Sequence, residues 1–120
     1  MNRPAGTIPE GFKAFGHGGP FAAAIGPIFV GARARDVFRY AFYTSGRHAN
    51  ANGVAHGGAL FSFADHITGH AIVHGIKRMC ATLKFKVEYL APGPLDCLVE
   101  GEVEFVAVTR TLVFLRVRLF

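Results

Sequence analysis

The middle of the chain contains a segment that is apolar on nearly every side when it is drawn as a helix. Its apolar residues are Ala59, Leu60, Phe61, Phe63, Ala64, Ile67, Ala71, Ile72 and Val73. A helix with this pattern is enclosed by other structure, because a surface helix keeps a broad polar face. The exceptions form a narrow stripe at helical spacing: Gly58, Ser62, Asp65 and Gly69. We predict a buried helix over residues 56–75.

The other apolar residues follow patterns that are typical of strands. Strand composition or alternation occurs in five segments: 25–32, 36–44, 79–91, 95–108 and 111–120. The Asn- and Gly-rich segment 47–55 predicts a loop before the helix. Residues 1–20, rich in Gly and Pro, predict a loosely ordered lead-in with a short helical turn around 9–15.

This order of elements favours an α+β domain. An antiparallel sheet needs one face covered, and a single long helix can cover it. A sheet wrapped around one central helix is the hotdog fold, which we assign to residues 21–120 as a single domain. Residues 21–34 also resemble a secretory signal, but Gly26 and Pro27 interrupt the apolar run, so we interpret this segment as the first buried element.

Composition narrows the class of protein further. The 120 residues fit one domain, and 51% are hydrophobic against 18% charged, an apolar excess that predicts a homo-oligomer. No apolar run has the length of a membrane span. The net charge of +5 and the pI near 9.7 allow a polyanionic ligand, but the basic residues form no nucleic-acid motif. Cys80 and Cys97 show neither metal-type spacing nor a disulfide framework, which favours a cytoplasmic protein.

Two features of the predicted helix could carry chemistry. Asp65 is a carboxylate within an apolar helix, where its burial is costly unless the group is paired or takes part in catalysis. An ordinary hydrogen bond at a subunit boundary would also explain a carboxylate at this position. His56, Gly57 and Gly58 stand at the helix start. Glycines let a ligand approach the backbone, and the first helical amides suit an oxygen that gains negative charge. A Gly-rich turn that only starts the helix would have the same sequence.

Together these residues resemble the signature of the hotdog thioesterase superfamily, in the branch of the phenylacetate-pathway acyl-CoA thioesterases and their animal mitochondrial relatives. That branch has an Asn six residues before the His of a His-Gly-Gly and an Asp nine residues after it. Here these residues are Asn50, His56 and Asp65. The strand that ends in Tyr-Leu-Ala-Pro-Gly at 89–93 also matches, and Thr82 takes the position of a family Ser or Thr.

The resemblance covers all but about the first 20 residues and implies hydrolysis of an acyl-CoA substrate with no cofactor and no metal. The Gly57 amide would polarise the thioester carbonyl, and Asp65 would either activate water as general base or attack the carbonyl itself. Thr82 and Asn50 would position water or substrate, and His56 would shape the site. The family also implies a dimer, often paired into a tetramer, whose site combines the His-Gly-Gly loop of one chain with the Asp of the other.

Several alternatives stay open at this point. Family members continue past the strand that ends here at Phe120, so we expect either that the sequence is shortened or that a sheet edge is open in that place. A hotdog module that binds acyl-CoA without turnover, or an inactive dimeric scaffold, would share much of the pattern. His66, His70 and His74 lie on one helix face, but no fourth metal ligand is indicated, so we set metal binding aside. The pair Asp65 and His70 lacks the Asn-Pro context of hotdog hydratases, so we also set hydratase activity aside. The twelve Phe residues slightly favour a bulky apolar acyl group.

Overall fold

The computed structural model describes residues 7–16 and 18–120. In chain order its elements are β1 (Phe12–Ala14), α1 (Pro20–Ile25), β2 (Ile28–Gly31), β3 (Val37–Tyr43), a 3-10 turn (Gly46–His48), α2 (Gly57–Ile76), β4 (Leu98–Val108) and β5 (Val113–Leu119). The strands form one antiparallel sheet in the order β1-β2-β3-β4-β5, and α2 packs against it. The predicted α+β hotdog fold is therefore confirmed.

The helix α2 contacts the sheet through large side chains that water does not reach. Phe63 and Ile67 are fully buried and belong to the same apolar cluster as side chains of β3 and β4. The ring of Phe63 lies 4.3 Å from that of Phe42, measured between ring centroids. Beneath them β4 carries Gly101, where a Cβ atom would lie 2.6 Å from Ile67 Cδ1 and 3.1 Å from Phe63 Cε2. The missing side chain thus lets the helix approach the sheet closely.

The predictions for α2, β3, β4 and β5 are confirmed, with element ends shifted by one to three residues. The prediction for residues 9–15 is wrong, because residues 12–14 form β1 and pair with β2. The domain start at residue 21 stays a prediction, and residues 1–6 and 17 of the lead-in lie outside the described part. Among the described residues no helix has the length and apolar character to cross a membrane.

The strand predicted from residue 25 begins only at Ile28, since the preceding residues form α1. The junction between α1 and β2 is fixed by residues that follow β3. His48 donates from Nε2 to the Ile25 carbonyl at 2.7 Å, and its Nδ1 accepts the Ser45 backbone N–H at 2.9 Å. Arg47 donates to the neighbouring Gly26 carbonyl. The two carbonyls are more than twenty positions away in sequence from the side chains that bind them, so local composition does not show these contacts.

Residues 79–91 are extended but belong to no ladder among the described strands, so the expected sheet pairing of this segment is wrong for the single chain. The segment instead runs beside α2, where the Phe85 ring lies 4.7 Å from that of Phe61. Strict alternation also fails, because Thr82, expected on the face opposite Phe85, contacts α2 as well. Leu83 and Leu90 are 82% and 92% exposed, which leaves this segment without a cover on its outer side.

Substitution of Gly101 tests the close contact between α2 and β4. We expect Gly101→Ala to lower the free energy of unfolding by about 1–3 kcal/mol, because the added methyl group overpacks a core that is already filled. Gly46→Ala is the matched control, since a Cβ at that position would meet no atom within 4 Å. Urea denaturation measures both variants. An equal stability of Gly101→Ala and the wild type would show that the packing of the helix does not require a glycine at this position.

Candidate active site

The start of α2 presents one free backbone amide. His56 is the N-cap residue, and its Nδ1 atom accepts the Gly58 N–H at 2.8 Å. The carbonyl of His56 accepts the N–H groups of Ala59 and Leu60. The Gly57 N–H is left without an acceptor among the described residues, at the positive end of the helix dipole. Of the two glycines, Gly57 is therefore the one whose amide can donate to a ligand oxygen.

Tyr89 holds the peptide that follows this amide. Its hydroxyl donates to the Gly57 carbonyl at 2.7 Å, and a Cβ atom on Gly57 would lie 3.1 Å from the Tyr89 ring. Glycine suits this position because a side chain would press on the ring. The family resemblance includes Tyr89 in a matching strand but implies no role for it. Its contact depends on how residues 79–91 lie beside the helix, which alternation alone does not specify.

Asn50 stabilises the loop before the helix. Its Oδ1 accepts the backbone N–H groups of Asn52 at 2.9 Å and Val54 at 3.3 Å, in an Asx-type turn. The side-chain NH₂ group is the part of Asn50 that is left to reach a ligand. Asn50, Gly57 and Tyr89 line the same cavity, which measures about 390 Å³. The structure thus brings together three of the predicted site residues, Asn50, His56 and Gly57, at the helix start.

Asp65 and Thr82 form the second part of the predicted site. Thr82 Oγ1 donates to Asp65 Oδ1 at 2.6 Å, a short hydrogen bond of the kind that a charged acceptor makes. Asp65 is half-buried, and both residues line a separate cavity of about 610 Å³. The neighbouring Ser62, on the same helix stripe, donates instead to the Gly58 carbonyl at 2.7 Å. The carboxylate is therefore oriented by a residue of the extended segment.

The two parts of the site are separate within one chain. Gly57 and Asp65 are eight positions apart on α2, which corresponds to about 12 Å of helix rise. They also line different cavities. A thioester-sized reacting group cannot touch both when the groups are so far apart. A single chain consequently holds the predicted residues in two groups that do not converge: Asn50, His56 and Gly57 at the helix start, and Asp65 with Thr82.

The three helix histidines line the cavity that contains Asp65. The rings of His70 and His74 are stacked at 4.0 Å, and the Tyr40 hydroxyl lies 2.8 Å from His70 Nδ1. Burial, reinforced by the neighbouring His74, lowers the pKa of His70 to about 4, and burial raises the pKa of Tyr40 above its ordinary value. Nothing in the sequence pattern indicates the contact between Tyr40 and His70. Within the described ranges no three His, Cys, Asp or Glu residues are grouped so that they could hold a metal ion.

Comparison with known proteins identifies relatives. A family model described as the thioesterase superfamily matches residues 52–120. A Pseudomonas aeruginosa protein, whose name proposes that it is an esterase, is 34% identical over 66 residues. The match covers 55% of this chain and 49% of that protein, so the chain spans about half the length of this curated relative.

Solved structures agree with the family match. A single-residue variant of the phenylacetic acid degradation protein PaaI from Thermus thermophilus is 25% identical, with a TM-score of 0.72 over 85% of this chain and 86% of that one. A hypothetical thioesterase of Streptococcus pneumoniae, solved with coenzyme A, is 26% identical, with a TM-score of 0.70 over 77% and 71%. The resemblance to phenylacetate-pathway hotdog thioesterases, predicted from Asn50, His56 and Asp65, is confirmed.

The lowered pKa of His70 predicts a pH dependence of stability. The unfolded histidine titrates near 6.5 and the folded one near 4, so the unfolded state binds more protons between these pH values. Stability is therefore fully present above about pH 6.5 and falls as the pH drops toward about 4. Urea denaturation at pH 7 and pH 5 should show a larger loss for the wild type than for His70→Phe.

Ser62→Ala is the control for this experiment, because it changes the same helix without removing a titratable group. It should keep the pH dependence of the wild type. An equal loss of stability in the wild type and His70→Phe would contradict a neutral, desolvated His70.

Proposed function

The chain belongs to the thioesterase superfamily, and on that premise we propose that it hydrolyses an acyl-CoA thioester to a free carboxylic acid and CoA. The observation that carries this proposal is the Asp65 carboxylate, held at 2.6 Å by Thr82 in the wall of a cavity. A protein that only binds acyl-CoA needs no carboxylate that is oriented in this way. The relative solved with coenzyme A supports a CoA thioester as the substrate class.

In the proposed reaction the Gly57 N–H donates to the thioester oxygen. Negative charge develops on that oxygen when the carbonyl carbon is attacked, and a fixed amide at a helix start stabilises it. Asp65 either takes a proton from the attacking water or attacks the carbon itself, and Thr82 orients the carboxylate in both cases. If Asp65 acts as the base, collapse of the intermediate breaks the C–S bond, and the CoA sulfur takes the proton that Asp65 removed from water. If Asp65 is the nucleophile, the same collapse leaves an acyl anhydride on its carboxylate and a CoA thiolate that solvent protonates. A water then cleaves the anhydride, which releases the free acid and restores Asp65. Asn50 and His56 hold the loop that presents Gly57.

A second copy of the chain would complete this site. One chain separates Gly57 from Asp65 by about 12 Å of helix, so the two groups that act on one thioester belong to different chains. The uncovered segment 79–91 is the surface on which we place the contact. Antiparallel self-pairing centred on Lys86 would set Lys84 opposite Glu88 of the partner subunit in two symmetric charge pairs, which outnumber the one repulsive pair of the two Lys86 side chains. We propose a homodimer or a dimer of such dimers.

A cytoplasmic location is part of the same proposal. Cys80 and Cys97 are both free thiols in the structure, and Cys80 is exposed. Exposed free thiols persist in a reducing compartment. Coenzyme A esters as substrates fit such a location.

Thiol release from a panel of aryl and medium-chain acyl-CoAs tests the activity. We expect the wild type to turn over and Asp65→Asn to lose at least about a hundredfold in kcat, as for a positioned acid-base or nucleophilic group. Thr82→Val should lose about tenfold, because it removes only the group that orients the carboxylate. Ser62→Ala is the matched control on the same helix stripe and should stay within about twofold of the wild type.

Binding without turnover would replace this proposal. If calorimetry shows that the wild type binds acyl-CoA but no thiol is released, the chain is a hotdog module that senses the thioester. If neither binding nor turnover occurs, it is a structural dimer.

Complementation tests the shared site. Asp65→Asn and Gly57→Val, carrying different affinity tags, are co-expressed and the doubly tagged dimer is purified. A Val side chain at 57 would collide with the Tyr89 ring and close access to the amide. One of the two sites in the mixed dimer is then intact, so we expect about half of the wild-type activity.

A doubly tagged dimer of two Asp65→Asn chains is the control and should be inactive. A mixed dimer that is equally inactive would show that each chain uses its own Gly57 and Asp65.

A further inference from the structure

The hairpin that joins β4 and β5 extends beyond the rest of the sheet. Glu104, opposite Val37, is the last residue of β4 that pairs with β3, whereas β4 continues to Val108. The four further residues project the hairpin by about 13 Å. No strand among those described pairs with the other edge of β5. This end of the molecule is therefore a narrow projection, and we name residues 105–114 the hairpin tip.

The hairpin tip carries exposed apolar side chains on both of its faces. Phe114 pairs with Ala107 on one face of the ladder, and the adjacent pair Val108 and Val113 points to the other. Four apolar side chains of the tip are 40% to 54% exposed: Val106, Val108, Leu112 and Phe114. A flat protein surface covers only one face of such a hairpin. The acyl-chain boundary of a bilayer surrounds an inserted tip on every side, so this pattern favours a lipid surface.

The turn at the end of the hairpin tip pairs its own backbone groups. The Thr109 N–H donates to the Leu112 carbonyl at 2.8 Å, and the Leu112 N–H donates to Thr109 Oγ1 at 2.9 Å. Arg78 Nη1 donates to the Thr109 carbonyl at 2.7 Å. Unpaired backbone N–H and C=O groups oppose transfer from water to lipid. With these groups paired, the turn leaves water at a lower cost.

Basic side chains surround the base of the hairpin tip. The turn between β2 and β3 lies next to it, because Val37 pairs with both Ala34 and Glu104. The chain that follows α2 also reaches it, through the bond between Arg78 and Thr109. Together with the tip itself, these segments present a basic collar of five exposed residues: Arg33, Arg35, Lys77, Arg78 and Arg110.

The carboxylates at this end of the molecule do not offset the basic collar. Among the described residues, the strand register places Glu10, Asp36 and Glu104 there. Glu104 faces Arg116 at 3.8 Å, which leaves two carboxylates against the five cations of the collar. An anionic surface attracts such a group, and each Lys or Arg near that surface strengthens binding about fivefold.

We propose that the hairpin tip and the basic collar form a docking surface for an anionic phospholipid bilayer. The apolar side chains of the tip enter the boundary between headgroups and acyl chains, and the collar contacts the phosphates. The projection of about 13 Å suits this arrangement, since interfacial elements reach about 5–10 Å into that boundary. The protein lies on the bilayer and does not span it. This inference does not depend on the proposed hydrolysis.

Vesicle flotation of the full chain tests the docking surface. We expect binding to phosphatidylcholine vesicles that contain about one third phosphatidylserine to be at least about tenfold tighter than binding to pure phosphatidylcholine, because the basic collar needs net negative charge. A rise in salt from about 0.05 M to about 0.5 M should remove most of this difference, since salt screens the charges. Absence of binding to the anionic vesicles at the lower salt concentration would overturn the proposal.

Two substitutions assign the binding to the hairpin tip. Phe114→Ser removes an apolar ring and Arg110→Gln removes a cation, and each should weaken binding to the anionic vesicles about fivefold. Phe120→Ser and Arg118→Gln are the matched controls at the other end of β5, and Phe120 is 56% exposed against 50% for Phe114. Both controls should bind like the wild type.

Two patterns among these variants contradict a bilayer-docking tip. Equal losses in the tip variants and their controls would show that no defined surface is involved. Loss of binding in Arg110→Gln together with full binding in Phe114→Ser would indicate a site for soluble anions instead.

A tryptophan probe reports insertion directly, because the chain contains no Trp. Leu112→Trp places one in the hairpin tip, and its emission should shift to shorter wavelength with the anionic vesicles as the indole leaves water. Phe120→Trp should show no shift. This comparison also decides the matter if Phe114→Ser does not fold, which its melting temperature reports.

An unshifted emission of Leu112→Trp with the anionic vesicles would overturn the proposal. So would a shift that appears without lipid as the protein concentration rises, because it would assign the hairpin tip to a contact with a second copy of the chain.

Discussion

The packing of α2 on the sheet over Gly101 is the contact on which the rest of the structure depends. Phe63 and Ile67 fill the space above this glycine, and both are shielded from water. Once these two positions face the sheet, helical geometry fixes where every other residue of α2 points. Asp65 and His66, which lie between them in sequence, are only half-buried and line a cavity instead. Packing in the core thus orients Asp65 and His66, which themselves lie outside the core.

Much of this fold could be predicted from sequence because its main signals are local. The apolar pattern of α2 and the strand patterns of β3, β4 and β5 each lie within one short window, and all four elements are confirmed. Asp65 and Thr82 were each indicated by family resemblance, and the structure joins them by a hydrogen bond that the sequence did not predict. By contrast, α1 and β1 are fixed by distant partners, such as His48 and the strand β2, so their local composition predicted the wrong elements.

The contacts of the site that sequence did not predict were missed for the same reason, because their partners are distant in sequence. Tyr40 and His70 come from β3 and from α2, and neither has a neighbour in sequence that signals their contact. The four-residue spacing of the three histidines indicated that they share a face, but not that a buried hydroxyl would contact one of the rings. Tyr89 was quoted as part of a motif, yet its role at Gly57 depends on the path of residues 79–91 beside the helix. Periodicity predicts which side of an element a residue occupies, and only the assembled fold shows what it meets there.

The extended segment beside α2 touches both parts of the site, Thr82 at Asp65 and Tyr89 at Gly57. These two contacts are seven positions apart in sequence, and both ends run along one rigid helix. Point substitutions at the exposed positions between them, such as Lys84, leave this spacing intact. An insertion or deletion of a single residue between them would displace one contact or the other. In the evolution of such a chain, the length of this stretch is expected to stay constant.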